Sequence, residues 1–577
     1  MKNIINRKSI FLPLFLAAMM LVAACKENFL NVPAPGALSE SLLLNKDGVE
    51  GMLISTYGML LARELGDRFG GPSNWVSGSI QGGDANKGSD AGDAAIINPV
   101  QRYALTSTNG IPQFKWAVCY EGISRANTVL KNVTKAADMS AADKARVTGE
   151  AKFLRAFYYF ELQKHFNKVP YIDEATAEPG KVKNSGTVWA QIEADFKAAY
   201  DALPETQAAA GRANKWAAGA FLGKAYLFQN KWAEASTILE TVIANGQTTN
   251  GKKYGLTPKF YDAFSTDTEN NEEHIFSVQA AVGTGTVQNA QPELVLNFTY
   301  TSPAVGCCGF FQPSFDAVNS YRTTAAGLPL LDGSYNSAAN AIKNDQGIAS
   351  ATAFAIDANP VDARLDHTAG RRGIPYLDWD DHPGQSWVRD QADAGPYSPK
   401  KLMVSKAQYS STTDGSSWTR GYTAMNFPVM RFADVLLMAA EANLEKASPD
   451  LVKALTYVNQ VRTRAANPAG FVMKAGAPAA NYKVSNYTVF ATQADARAAL
   501  RMERKLELSQ EGHRFFDLVR WGIAKVEVDK YLTFEGNLLK SRLGGLTFTA
   551  GKTEFFPIPQ SQIDLQGKDV LTQNPGY

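Results

Sequence analysis

The sequence predicts a mainly α-helical protein, a scaffold of packed helix pairs interrupted by one large, irregular, loop-rich insertion. Three observations predict it. Apolar residues recur at three- and four-residue spacing through much of residues 48–245 and again in 431–510. Ser140-Ala141-Ala142-Asp143 forms a capping-box-like start for the longest of these stretches. Between them, residues 246–427 are dominated by Gly, Ser, Thr, Asn, Asp and Pro and carry few helical stripes. A loop-rich segment of that length is unusual in a compact domain unless it is functional.

At the N-terminus, Lys2, Arg7 and Lys8 precede an apolar run from 10 to 21 that only Pro13 breaks. The run is short for a bilayer span, which needs ~20 residues. Small residues before a cleavage point mark a secretory signal. Val22-Ala23-Ala24-Cys25 resembles a bacterial lipobox, in which the cysteine thiol is acylated and becomes the first residue of the mature chain. Acyl chains contribute roughly 0.8 kcal/mol per buried methylene, enough for several chains to hold a soluble domain on a membrane. Lys26 and Glu27 resemble the charged tether of lipoproteins sent to the outer face of the outer membrane.

The spacing predicts helices over 48–65, 114–133, 140–165 and 188–203, the last closed by Pro204. A pair follows at 214–229 and 232–244. Its small residues, with Gly219 and Gly223 allowing a close neighbour, alternate with aromatics and resemble tetratricopeptide packing. Such pairs stack and present a surface to a protein partner. After the insertion, helices are predicted at 431–446, from Ser448 (N-cap) and Pro449 to 465, and at 492–510.

The formal net charge is +2 and no long basic run occurs, which argues against nucleic acid as the main partner. Of four cysteines, Cys25 is assigned to the anchor and Cys119 falls in a helical pattern as a buried thiol. Cys307 and Cys308 are adjacent, so a disulfide between them is sterically demanding, although the envelope is oxidising. The five histidines lack partners at zinc-ligand spacing, and no G-x-S-x-G elbow or P-loop is present. Asp378, Asp380 and Asp381 around Trp379 read first as a solvated turn, with a structural calcium ion as the alternative. Charged residues at 503, 504, 507, 511, 514, 517 and 520 recur at helical spacing. They read as a partly buried salt-bridge network in which Asp517 reaches Arg514 and Arg520, not as the facing carboxylates of a glycosidase. No catalytic residues and no cofactor are assigned.

Several stretches carry a family resemblance. Gly149-Glu150-Ala151-Lys152-Phe153-Leu154-Arg155-Ala156-Phe157-Tyr158-Tyr159-Phe160 is similar to the signature helix of the SusD/RagB-like family of outer-membrane nutrient-binding lipoproteins. Arg431-Phe432-Ala433-Asp434-Val435-Leu436-Leu437-Met438 with Glu441-Ala442 resembles a second family motif. Glu503-Arg504, Glu507-Leu508 and Glu511-Gly512-His513-Arg514-Phe515-Phe516-Asp517-Leu518-Val519-Arg520-Trp521-Gly522 resemble a third. Pro313-Ser314 to Tyr321, Phe556-Pro557-Ile558-Pro559 and Gln573-Asn574-Pro575-Gly576-Tyr577 also resemble family stretches, and the whole set lies along the chain in family order. The resemblance implies a tetratricopeptide-like scaffold and a non-catalytic cell-surface lipoprotein. Such a protein captures oligo- or polysaccharide and delivers it to a SusC-like TonB-dependent transporter of the outer membrane. The corresponding division is a signal peptide (1–24), an N-terminal helical region (25–245), a loop-rich glycan-binding region (246–427) and a C-terminal helical region (428–577).

Sugars present flat C–H faces and a rim of hydroxyls, which exposed aromatic rings and polar side chains match. Aromatics in polar loops are therefore the expected contacts: Trp75, with Asn74 and Asp84 nearby, Phe310, Tyr376, Trp379, Trp387 and Trp418. Trp189, Trp216, Trp232 and Trp521 sit in helical patterns and read as core. Two other readings compete: a peptide-uptake lipoprotein of the same transporter type, and a surface glycoside hydrolase or lyase.

Overall fold

The computed structural model describes residues 43–62, 67–301 and 305–577. The expected signal peptide, the expected anchor Cys25 and the expected tether at Lys26 and Glu27 lie outside the described residues. Among the described residues no helix is long and apolar enough to cross a membrane.

Helix α1 (Lys46–Gly58) starts at Asn45, whose side chain accepts from the Gly48 N–H. It stops earlier than its apolar pattern suggests. A 3-10 turn follows, and Ala62 sits at φ 55°, a left-handed conformation that a helix cannot continue through. The scaffold proper is α2 (Gly110–Val133), α3 (Ala141–Phe166), α4 (Trp189–Ala202), α5 (Lys215–Phe228) and α6 (Trp232–Asn245), each packed on the next. Ser140 caps α3 by accepting from the Asp143 N–H at 3.1 Å. The α5–α6 pair packs as closely as its glycines suggest, since a Cβ on Gly223 would lie 2.6 Å from the Leu239 side chain.

The array continues across the insertion. Helix α6 packs on α7 (Phe432–Glu445), and α7 on α8 (Leu451–Ala465) and α9 (Gln493–Glu507). Glu240 of α6 accepts from Asn443 of α7 at 2.8 Å and pairs with Lys453 of α8 at 2.9 Å. Helix α8 starts later than its sequence suggests: Asp450, not Ser448, supplies the cap, accepting from the Lys453 N–H at 2.9 Å. The short helix α10 (Arg514–Arg520) and the longer α11 (Ala524–Leu538) close a second apolar cluster.

Strands are short, and those that position the insertion are β1 (Ala85–Gly88), β2 (His274–Val278), β3 (Phe310–Pro313), β4 (Thr413–Asp414), β5 (Tyr422–Thr423) and β6 (Phe427–Arg431). All three pairings they make are antiparallel. β2 with β6 ties the two ends of the insertion together (Val278 opposite Phe427), and β4 with β5 makes a hairpin. β1 with β3 joins the insertion to the loops that precede α2.

The insertion is held to the helices by buried charge. Glu507, on α9, takes Arg431 at 3.0 Å and Arg464 at 2.5 Å on one oxygen, and Arg364 at 3.0 Å on the other. Glu503 pairs with Arg364 (2.6 Å) and Arg462 (2.8 Å), and Glu511 with Arg431 (2.7 Å) and Lys401 (2.5 Å). Glu273 joins Arg431 and Arg464, and Asp362 pairs with Arg364. All of these side chains are buried. Burial raises the Glu507 pKa, but the guanidiniums of Arg464, Arg431 and Arg364 outweigh it and hold the carboxyl well below the usual range. Asp517 pairs with Arg504 and Arg520; Arg514 instead lies 3.8 Å from Glu527, because α10 turns it away from the Asp517 carboxylate.

Removing one member of such a network leaves a partner charged, buried and unpaired, at a cost of ~3–5 kcal/mol. Arg431→Met should therefore lose about that much stability in urea denaturation, whereas Lys197→Met, at an exposed pair on α4, should change it by less than ~0.5 kcal/mol. Equal small effects would remove the network from its structural role.

Candidate functional site

Seven of the eight expected contact residues are buried; Trp418 is the exception. Trp75 is 2% exposed, donates its indole N–H to the Arg68 carbonyl at 2.8 Å and packs on Phe69 and Phe311. Asn74 bridges its own loop to α2 and α3, donating to Glu161 at 3.1 Å and accepting from Lys115 at 2.9 Å. Asp84 accepts from the Gln510 N–H at 3.2 Å, and burial pushes its carboxyl up to about 7. Phe310 lies in β3 opposite Gly88. Tyr376, Trp379 and Trp387 form a separate apolar cluster with Phe298 and Met403 beneath the insertion's loops. Trp379 donates to the Val404 carbonyl at 3.1 Å, and the Tyr376 hydroxyl donates to that of Pro399.

These seven residues are therefore structural where the sequence suggested ligand contact. A long irregular segment has no helical stripe to bury, so its aromatics collect into satellite clusters under the loops. The aspartate cluster disperses in the same way. Asp378 accepts the Lys406 and Ala407 N–H groups at the start of a short helix, and Asp381 pairs with Lys474 at 2.6 Å. Those carboxylates serve a helix start and a surface ion pair, and no group of three or more potential metal-ligating side chains converges among the described residues. Glu503 and Glu507 are wholly enclosed by guanidiniums.

Trp418 is 55% exposed, and of the nine tryptophans, all among the described residues, it alone is exposed. It sits at the tip of the β4–β5 hairpin. Tyr422 of the stem meets it edge-on at 6.4 Å, and the Arg68 guanidinium lies 5.5 Å from its ring centroid. The hairpin is seated by a close approach at Gly421, where a Cβ would lie 2.5 Å from the Val295 carbonyl and 3.1 Å from Phe298.

Phe298 belongs to the buried cluster that also carries Trp387, and Trp387 holds a second polar–aromatic feature. Its carbonyl accepts from the Tyr300 N–H at 3.0 Å. The Arg389 guanidinium lies 5.3 Å from the Tyr300 ring centroid and pairs with Asp90 (2.6 Å) and Asp93 (2.7 Å). Backbone N–H groups of Asp93 and Gly92 hold the Asp90 carboxyl below its ordinary range. Lys87 fixes that turn by donating to the carbonyls of Asp90 and Asp93. Tyr300, Arg389, Asp90, Asp93 and Arg68 were not singled out by sequence. The one local signal was the Ser89–Asp93 run, whose Asp and Gly residues favour an Asx turn.

A largely enclosed cavity lined by Asn74, Glu161, Lys164, Lys224, His513 and Asp517 offers only about 20 Å³, room for a water and not for a sugar. The motif residues that line it are thus architectural.

An array of helix pairs carrying one ion-pair-fastened insertion, whose loops form an exposed aromatic and polar shelf, defines the class of protein. Residues 272–577 match the family model described as SusD family, and residues 84–227 match one described as starch-binding associating with outer membrane. The first match spans more than half of the chain, and the chain belongs to the SusD family. SusD-like protein P2 of Formosa agariphila is 25% identical over 501 residues, covering 85% of each chain. A SusD superfamily protein from Bacteroides vulgatus superposes with a TM-score of 0.68 at 22% identity, over 92% of this chain and 99% of its own. Surface glycan-binding protein A from Bacteroides thetaiotaomicron, solved in complex with laminarihexaose, superposes with a TM-score of 0.64 at 18% identity, over 92% and 99%.

Burial separates two tryptophans that look alike in sequence. Trp75→Ala should cost ~3–5 kcal/mol in urea denaturation, and Trp418→Ala less than about 0.5 kcal/mol. A Trp75 variant as stable as the parent would contradict its place in the core.

Proposed function

We propose that this protein is a non-catalytic, cell-surface glycan-binding lipoprotein. It captures oligo- or polysaccharide on its loop shelf and hands it to a SusC-like TonB-dependent transporter in the outer membrane. The observation that carries this reading is the exposed ring of Trp418 on a seated hairpin. A large aromatic surface left in water is costly unless something covers it. Its flat face matches the C–H face of a sugar ring, and Arg68 lies within reach of the hydroxyls at the ring's margin. The Tyr300–Arg389–Asp90–Asp93 group repeats the same combination of ring and hydrogen-bonding rim. Both features are positioned before any ligand arrives, which lowers the ordering cost of binding. The laminarihexaose complex of the Bacteroides thetaiotaomicron relative favours a glycan over a peptide as cargo.

The membrane assignment rests on Val22-Ala23-Ala24-Cys25 and on the outer-membrane association in the description of the second matching family model. Acylation at Cys25 holds the folded domain at the bilayer, where it can meet a transporter. Cys25→Ala should move the protein from the membrane to the soluble fraction of cells; retention in the membrane fraction would contradict the anchor.

The binding test is native gel electrophoresis through immobilised polysaccharides, with the retarding glycan then checked for cleavage. The parent protein should be retarded without product, and Trp418→Ala should reduce the retardation, with a loss of about tenfold or more in affinity for an aromatic platform residue. Product formation would overturn the non-catalytic reading. Undiminished retardation of Trp418→Ala would take that residue out of the site.

A further inference from the structure

The chain entering β3 turns on two adjacent cysteines. Cys307 and Cys308 are joined by a disulfide, which closes a small ring through the peptide between them. Cys308 is buried against the main apolar core, with φ 142°, where side-chain-bearing residues are rare; Cys307 is only partly buried. Gly306 and Gly309, at φ 65° and 73°, carry the chain into and out of the ring. The exit is fastened, because the Gly309 carbonyl accepts from the Ser89 N–H and the Phe310 N–H donates to the Leu296 carbonyl. Tyr300 packs across it, such that a Cβ on Gly309 would lie 3.2 Å from the Tyr300 Cβ. Ser89 in turn accepts from Arg389 at 2.9 Å. The disulfide loop, Tyr300 and the Arg389–Asp90–Asp93 group are therefore one continuous patch.

A disulfide ring is apolar, polarisable and without free rotors. Set beside a tyrosine, it extends the surface that a sugar's C–H face can cover, with little entropy to lose on binding. The polar rim is also balanced in charge. Asp90 and Asp93 pair with Arg389 and sit over the Lys87 ammonium, so this patch leaves no surplus positive charge for a uronate or a sulfate.

Resting on the glycan-binding reading above, we infer that the oxidised Cys307–Cys308 ring is a ligand-contacting element of the saccharide site. With Tyr300 it takes a residue of a neutral glycan, while Asp90, Asp93 and Arg389 address the hydroxyls. The dithiol form is the weak-binding one. Reduction adds two electrons and two protons to the sulfurs, frees both side chains to rotate and releases the constraint that presents the ring next to Tyr300.

The test is calorimetry on the whole chain, with laminarin as the neutral probe and alginate as the anionic one. The oxidised protein, the same protein reduced with dithiothreitol (itself oxidised to its cyclic disulfide), the Cys307→Ser/Cys308→Ser double variant and Trp418→Ala are compared, with the redox state read by intact mass. The expected result is binding of laminarin over alginate, weakened roughly tenfold by reduction and by the double variant, and restored when the reduced protein is reoxidised. Restoration by reoxidation separates the effect from misfolding of the double variant. Unchanged affinity after verified reduction, with Trp418→Ala still impaired, would overturn the inference and leave the glycan reading standing. Preference for alginate would overturn the neutral class. Binding of neither probe by the oxidised protein, in calorimetry or on the wider gel panel, would overturn both.

Discussion

The structure depends on the buried ion-pair network centred on Glu507. Its members come from along the insertion and just past it: Glu273 before its first strand, Asp362, Arg364 and Lys401 within it, and Arg431 just beyond its end. They meet Arg462 and Arg464 of α8, Glu503 and Glu507 of α9, and Glu511 just beyond. Five cations thus face five carboxylates in a region shut off from water. Each charge would be very costly there alone, and the group holds only because the pairs are close and multiply hydrogen-bonded. Without that fastening, a segment so poor in regular structure has only short strands and small apolar clusters to hold its shape.

Fastening of this kind is what the proposed binding shelf would need. Helices α6 and α7 pack directly on one another, although the whole insertion lies between them in sequence, and the insertion projects from a continuous array. The network anchors the inner side of the insertion, and the cluster of Phe298, Tyr376, Trp379 and Trp387 lies beneath its surface loops. The outermost features, Trp418 on its hairpin and Tyr300 under Arg389, are each seated on residues of that cluster or beside it. Loops mounted in this way present binding groups at a fixed geometry.

Much of the scaffold was legible in the sequence because helices announce themselves by periodicity. The spacing of Phe153, Phe157 and Leu162, the cap at Ser140 and the glycines at 219 and 223 all have direct structural counterparts. The charged run from 503 to 520 was legible as a network. Its partners were not, since Arg364 and Arg431 are distant in sequence and only the fold brings them to Glu507. The site was the least legible part. Trp75, Trp379, Trp387 and Trp418 all sit in polar, glycine-rich surroundings, and local sequence does not show which aromatics a loop folds over. Burial is decided by the long-range β1–β3 pairing and by the Phe298 cluster. Only the β4–β5 hairpin, short and projecting, left its tryptophan in solvent.

The central claim is that a preformed shelf, not the helix array or an interior cavity, meets the glycan. Hydrogen exchange followed by mass spectrometry, with and without saturating laminarin, tests this most directly. The account predicts that peptides covering 298–301, 305–313 and 376–389 are already slow to exchange in the free protein. It also predicts that laminarin adds protection only in 413–423, in 298–301 and 305–309, and in the segments that carry Asp90, Asp93 and Arg389. Protection appearing instead along the open groove between 255–258 and α8, or shelf peptides that exchange freely until ligand is added, would contradict it.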